Sequence, residues 1–202
     1  MTQIALPLAW PADPSDDDFL LTPSNAAAAH LLDHWGTWPV RAALLVGPRK
    51  SGRSLLARIF AAKSGGCVID HAEGRPEAEL FHAWNRAQGA APLLLVADAS
   101  PPAWAVRLPD LRSRLAATPV ARIGAPDEAL VVALLERQFL RRGLDARDDL
   151  IRWLAARVER SHVAVLRVVD TLDQAAFAQR RRLTIAFARS VLGPAALIEG
   201  PA

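Results

Sequence analysis

Residues 47–54 read Gly-Pro-Arg-Lys-Ser-Gly-Arg-Ser, and they stand between an apolar run at 42–46 and a segment at 55–61 whose apolar residues have helical spacing. A strand, a glycine loop and a helix in this order are what a phosphate-binding loop requires. Gly47 and Gly52 reach backbone angles closed to other residues, so consecutive amides can converge on phosphate oxygens at the positive end of the helix. In that arrangement Ser51, Gly52, Arg53, Ser54 and Leu55 line a nucleotide, and Ser54 is placed to hold a magnesium ion. Arg53 stands where the hydrolysing form of the loop carries lysine. Its planar fork neutralises a β-phosphate but is larger and differently directed than the ammonium that follows a transferring γ-phosphoryl group, so binding survives the change better than turnover. The other reading of this segment is a strand-to-helix turn with no ligand.

Apolar runs ending in an acid recur at 67–70 and 92–98, and a fourth strand is expected at 120–123. Helices are expected at 26–35, capped by Ser24 or Asn25 and ended by Gly36, at 75–88, with Leu80, Phe81 and Trp84 on one face, and around 111–115. Parallel strands alternating with helices make a three-layer α/β lobe. From Asp127 the pattern turns wholly helical, with helices expected near 127–142, 146–159, 161–179 and 184–192. The expected organisation is a peptide and flexible linker at 1–18, an α/β domain at 19–125, a helical lid at 126–192 and a disordered tail at 193–202.

Residues 1–8 precede a segment rich in proline and aspartate, which makes them a tethered peptide and not a core strand. The formal net charge is +3, carried almost wholly by arginine, which is a weak argument for nucleic acid. The Arg180-Arg181-Arg182 run has no interleaved aromatics and reads as a solvated turn. The single cysteine, Cys67, excludes an internal disulfide framework and is expected to be a small buried residue. No apolar stretch reaches the roughly 18 residues a bilayer needs, and a signal-peptide layout is not seen. A cytoplasmic protein without membrane contact is expected.

A phosphate-loop α/β lobe followed by a small helical lid resembles the AAA+ nucleotide-binding proteins. Four strings narrow the likeness to the DnaA-related, Hda-type branch: Gln3-Ile4-Ala5-Leu6-Pro7-Leu8, Gly52-Arg53-Ser54, Leu108-Pro109-Asp110-Leu111-Arg112-Ser113-Arg114-Leu115, and Arg182-Leu183-Thr184-Ile185-Ala186-Phe187. The resemblance runs from about residue 1 to 192, and the lack of a helix-turn-helix domain after the lid favours the short Hda type over DnaA. It implies a clamp-binding peptide in which Gln3 fixes one end, Ile4, Leu6 and Leu8 are apolar contacts and Pro7 keeps the segment extended. The alternative is that this peptide folds back on the protein's own surface. The resemblance also implies that Arg114 is an arginine finger acting in trans on ATP bound by DnaA; the alternative is a solvated arginine paired with Asp110.

The Hda-type likeness further implies an ADP-like adenine nucleotide, with magnesium, in the chain's own loop, its binding weakened or lost. Asp70 matches the metal-side acid and Asp98 the next strand's sensor position, although the reverse alignment remains open. Only four residues separate the loop helix from the 67–70 strand, so one strand and one helix of the usual core are missing and about four strands are expected. His71 follows Asp70 and Ala99 follows Asp98, leaving no glutamate to orient an attacking water. Val163 falls where the family's lid carries a phosphate-reading arginine, and Arg160 or Arg167 substitutes only in another register. The implied function is a negative regulator of replication initiation that docks on the DNA-loaded sliding clamp, and so on DNA indirectly, and promotes hydrolysis of ATP on DnaA. The alternative is a self-contained ATPase that remodels protein or DNA. Self-association into a homo-oligomer is compatible with either.

Overall fold

The computed structural model describes residues 19–193. The peptide with Gln3, Ile4, Leu6, Pro7 and Leu8 lies outside them, as does the tail beyond Gly193. Eight α-helices and four strands alternate in the first part of the described chain and give way to helices alone in the second: α1 (Pro23–Asp33), β1 (Ala42–Val46), α2 (Arg53–Ser64), β2 (Cys67–Ile69), α3 (Glu77–Ala87), β3 (Leu93–Ala97), α4 (Pro109–Ala116), β4 (Val120–Arg122), α5 (Glu128–Arg141), α6 (Asp148–Ala155), α7 (His162–Gln179) and α8 (Ile185–Leu192).

The strands form one parallel sheet of order β2-β3-β1-β4, with Leu44 opposite both Leu95 and Val120. This is the four-strand sheet expected from the short 63–66 connection. Both faces of β1 and β3 are covered, which is why these strands are continuous apolar runs and not alternating ones. Ala42, Leu44, Val46, Leu93, Leu95 and Ala97 pack under α3 and α4, while Ala43, Leu45, Leu94 and Val96 pack under α1 and α2. A separate apolar core, with Leu135, Phe139, Leu154, Leu172 and Phe187 at its centre, holds α5 to α8 together.

Several local expectations are corrected. Helix α1 starts at Pro23, three residues before the expected 26, because Thr22 and not Ser24 or Asn25 is its N-cap, and the Asn25 side chain reaches back to accept the Thr22 N–H at 2.9 Å. It ends at Asp33, and residues 35–37 form a turn of 3₁₀ helix. Helix α2 starts at Arg53, two residues before the apolar spacing signals it, because Gly52 takes φ +89° and serves as the cap. Helix α6 is shorter at both ends than the expected 146–159. Cys67 is exposed, not buried, because β2 is an edge strand paired only to β3.

The sheet lobe and the helical lobe are joined at Asp127. Its carboxylate caps α5, accepting the Leu130 N–H at 2.8 Å, and its second oxygen accepts the Ser24 N–H of α1 at 3.0 Å. Burial alone would raise the Asp127 pKa, but the backbone donors of Leu130 and Ser24 outweigh it and hold the carboxyl below its ordinary 3.8. Asp127→Ala is expected to cost about 1–2 kcal/mol of stability in denaturant unfolding. A group with a depressed pKa stabilises above its unfolded value and loses that contribution as pH falls through the folded one. The gap between native chain and variant should therefore be constant near neutrality and close below about pH 4. A gap that persists undiminished at pH 2 would show that the carboxylate is not its source.

Candidate nucleotide site and the arginine of helix α4

The loop between β1 and α2 is built by close approach and by left-handed turns. A Cβ on Gly47 would lie 2.9 Å from the Ile123 Cβ and 3.0 Å from its carbonyl oxygen, so no other residue fits beside the end of β4. Lys50 and Gly52 both have positive φ, which folds the loop back onto the N-terminus of α2. The missing Cβ of Gly52 faces the edge of the Phe19 ring at 3.2 Å. Ser51 is buried, and its Oγ has no hydrogen-bond partner.

Three strand ends meet beside this loop. The Ser54 hydroxyl donates to Asp70 Oδ2 at 3.1 Å, and Asp70 Oδ1 accepts the His71 N–H at 2.8 Å. Asp98 has a different partner. Arg53 donates to the Asp98 carboxylate at 2.5 Å and also to the Ala97 carbonyl. That hydrogen bond, against partial burial, holds the Asp98 carboxyl below the usual range. Arg53 thus does not stand free to meet a phosphate, as the loop pattern suggests. Its long planar fork finds a carbonyl and a carboxylate together at the end of β3. A phosphate oxygen must share the guanidinium with Asp98 or draw it away.

The hard-oxygen pair Ser54 and Asp70 suits magnesium, which takes one or two carboxylates and completes its shell from phosphate and water. Together they would hold the ion, which would supply positive charge beside a nucleotide's phosphates. Among the described residues no group of three or more His, Cys, Asp or Glu side chains forms a metal cluster. Glu73, three residues beyond Asp70, turns back so that its Oε1 accepts the Asp98 N–H at 2.9 Å, while its Oε2 is buried without a partner. Nothing in the sequence marks this carboxylate, because the residue immediately after each strand acid is His71 or Ala99.

A cavity of about 160 Å³ lies between the loop and the helical lobe. Phe19, Lys50, Ser51, Gly52 and Leu55 line it from the sheet side, and Leu130, Arg137, Arg141 and His162 from the other. Ligand pockets usually exceed roughly 300 Å³, so a nucleotide requires the two walls to part. Val163 is exposed and is not part of this wall, whereas its neighbour His162 is buried in it. Arg160 pairs with Glu128 at 3.7 Å and does not line the cavity.

Arg114 sits on the opposite face of the sheet lobe. Its guanidinium lies over the rings of Phe81 and Trp84, 4.9 and 4.7 Å from their centroids, and its Nε is buried with no partner. It makes no ion pair with Asp110. The Trp84 indole N–H donates to Thr118 Oγ1 at 3.0 Å, whose hydroxyl in turn donates to the Arg114 carbonyl at 2.8 Å. The start of α4 is fixed by Glu77, which accepts the N–H groups of Arg107 and Leu108 at 2.8 and 2.6 Å. These backbone bonds, Arg107 first, hold its carboxyl below the usual range.

Residues 127–192 match the family model of the Hda lid domain. Domain III of the Thermotoga maritima replication initiation protein DnaA superposes with a TM-score of 0.73 at 15% identity, over 89% of this chain and 95% of that one. The chain carries an Hda-type lid, and its fold is that of DnaA domain III. The expected fold class, a reduced AAA+ core with a helical lid, therefore stands. The Holliday junction branch migration motor RuvB of Thermotoga maritima gives a TM-score of 0.65 at 14% identity over 89% of this chain and 71% of that one. A DnaA bound to AMPPCP and single-stranded DNA gives 0.62 at 14% identity, over 82% and 67%. By sequence, an uncharacterized protein of Haemophilus influenzae is 32% identical over 118 residues, 57% of this chain and 51% of that protein. The chain spans about half the length of this curated relative. No helix among the described residues is long and apolar enough to cross a membrane.

Proposed function

We propose that this chain is a negative regulator of chromosomal replication initiation, docking on the DNA-loaded sliding clamp through residues 3–8 and stimulating hydrolysis of DnaA-bound ATP through Arg114. The observation that carries this reading is the Hda-type lid at 127–192. The core's own site supports it. With Arg53 held by Asp98 and no glutamate directly after Asp70 or Asp98, the loop is suited to holding an adenine nucleotide, as the DnaA with AMPPCP does, and poorly suited to turning it over. Magnesium belongs with Ser54 and Asp70, the pair in contact, which favours Asp70 over Asp98 as the metal-side acid. Arg114, half-buried on the far side of the sheet from the lid cavity, faces away from the chain's own loop and suits a site supplied by DnaA. DnaA and the clamp are the partners, with DNA met through the clamp, in the cytoplasm.

The competing reading, a self-contained ATPase, is favoured only if the isolated chain turns ATP over. The test is hydrolysis of DnaA-bound ATP with and without DNA-loaded clamp. Replacing Gln3, Leu6 and Leu8 together by alanine is expected to reduce the stimulation to the level seen without clamp. Clamp-dependent stimulation that survives this triple change removes the docking role of the peptide, and turnover by the isolated chain equal to the whole signal removes the regulator.

A further inference from the structure

Two polar side-chain atoms buried in the wall of the loop–lid cavity have no hydrogen-bond partner: Ser51 Oγ from the sheet lobe and His162 Nδ1 from the lid. Their residues are 6% and 4% exposed, so bulk water does not satisfy them. Buried polar atoms are paired in the great majority of native cases, and two orphans on residues that line one cavity from opposite lobes point to a ligand that both reach once the walls part. The charge of the walls says what kind. Helices α2 and α7, of 12 and 18 residues, both begin at this cavity, at Arg53 and His162, so two positive helix ends face it. Lys50 adds a cationic side chain, while Leu55 and Leu130 supply apolar wall. Ser161 commits its hydroxyl to the Ala164 N–H and leaves the first amide of α7, that of His162, outside the helix's own bonding. Burial holds the imidazole toward its neutral form, in which one ring nitrogen donates and the other accepts.

We propose that His162 is the lid's contact to the bound nucleotide: its Nδ1–H donates to a phosphate oxygen of the ligand that Ser51 Oγ also reaches, so that the neutral imidazole draws the lid onto the loop. The proposal rests on the reading of residues 47–54 as an adenine-nucleotide site and goes beyond it, since Val163 leaves the lid without the arginine that reading expects. The contact comes from one residue earlier and from a neutral ring, not a charge. A donor with the geometry of Nδ1 is required. Asparagine carries its amide nitrogen near the Nδ1 place, whereas glutamine carries its nitrogen near the Nε2 place.

The test is calorimetric titration of the full chain with ADP and magnesium, beside ¹⁵N spectra of the histidine side chains. His162→Leu and His162→Gln are expected to weaken ADP about tenfold, the loss of one buried hydrogen bond to a charged group, and His162→Asn to recover most of it. In the native chain the His162 Nδ1 signal, assigned by its absence from His162→Leu, should shift on ADP addition to the position of a protonated, hydrogen-bonded nitrogen. That readout is taken on the native chain, and the variant serves only to assign the signal. Unchanged ADP affinity in His162→Leu, equal loss in the asparagine and glutamine variants, or an Nδ1 signal indifferent to saturating ADP would overturn the proposal while leaving the loop as a nucleotide site. Failure of the native chain to bind ADP at all would overturn the loop reading and the role of His162 with it.

Discussion

Arg114→Ala is expected to lower the stimulated hydrolysis of DnaA-bound ATP by about 10³-fold or more, ~4 kcal/mol of transition-state stabilisation, while leaving clamp binding intact. The size follows from what an arginine does at a transferring phosphoryl group, where its fork meets charge that develops only in the transition state. On the proposed role, the present geometry is the resting one. The guanidinium lies against Phe81 and Trp84, whose faces attract it by about 0.5–2 kcal/mol, and this seat leaves the Nε–H without an acceptor. Moving from that seat to a partner's phosphate therefore costs little compared with what the new contact supplies. Arg114→Lys should recover only a small part of the rate, since an ammonium neither stacks in the aromatic seat in the same way nor forks onto two oxygens. Unfolding of Arg114→Ala measured alongside must show a loss no greater than the cation–π contacts explain. Stimulation within a few-fold of the native chain would remove Arg114 as the finger and return it to a surface that braces α4 against α3.

The elements legible in the sequence are those whose signal is local. The runs at 42–46 and 93–97 read as strands because both of their faces are covered, and the lid helices read as helices because Leu135, Phe139, Leu150, Leu154 and Leu172 recur at helical spacing. The loop is legible because its glycines answer to backbone geometry: Gly47 to the closeness of Ile123, Gly52 to its positive φ. What escapes is what depends on packing across long separations. The apolar neighbours of Cys67 predict burial, yet exposure is decided by β2 lying at the sheet edge, a fact of strand order. The loop pattern turns Arg53 toward phosphate, yet its partners lie 44 and 45 residues away at the end of β3. His162 carries no mark at all. An isolated histidine at the start of a helix is ordinary in sequence, and only folding of the lid onto the loop places it in the wall of the same cavity as Ser51. Position 163 stands out because a family pattern names it, and the structural wall of the cavity comes from the residue before.

Phe139→Ala is expected to cost about 3–5 kcal/mol, with most of the loss falling on the lid. The ring is 1% exposed, at the centre of a core made only by α5 to α8, and truncation leaves a cavity that four short helices cannot close without losing their mutual packing. The sheet lobe has its own two cores and meets the lid through few strong contacts, among them the Asp127 bridge to Ser24. Local opening should therefore be uneven: amide exchange in α5 to α8 should quicken strongly while that of β1 and β3 stays near native rates. Because His162 and Leu130 reach the loop–lid cavity only as parts of an ordered lid, the proposed ADP binding should weaken in the same variant even though residue 139 does not line the cavity. Equal acceleration of exchange in β1 and β3 would mean that the two lobes open as one cooperative unit. In that case the lid could not close over a nucleotide independently of the sheet, and control of the cleft would have to come from the loop side, through Arg53 and its hold on Asp98.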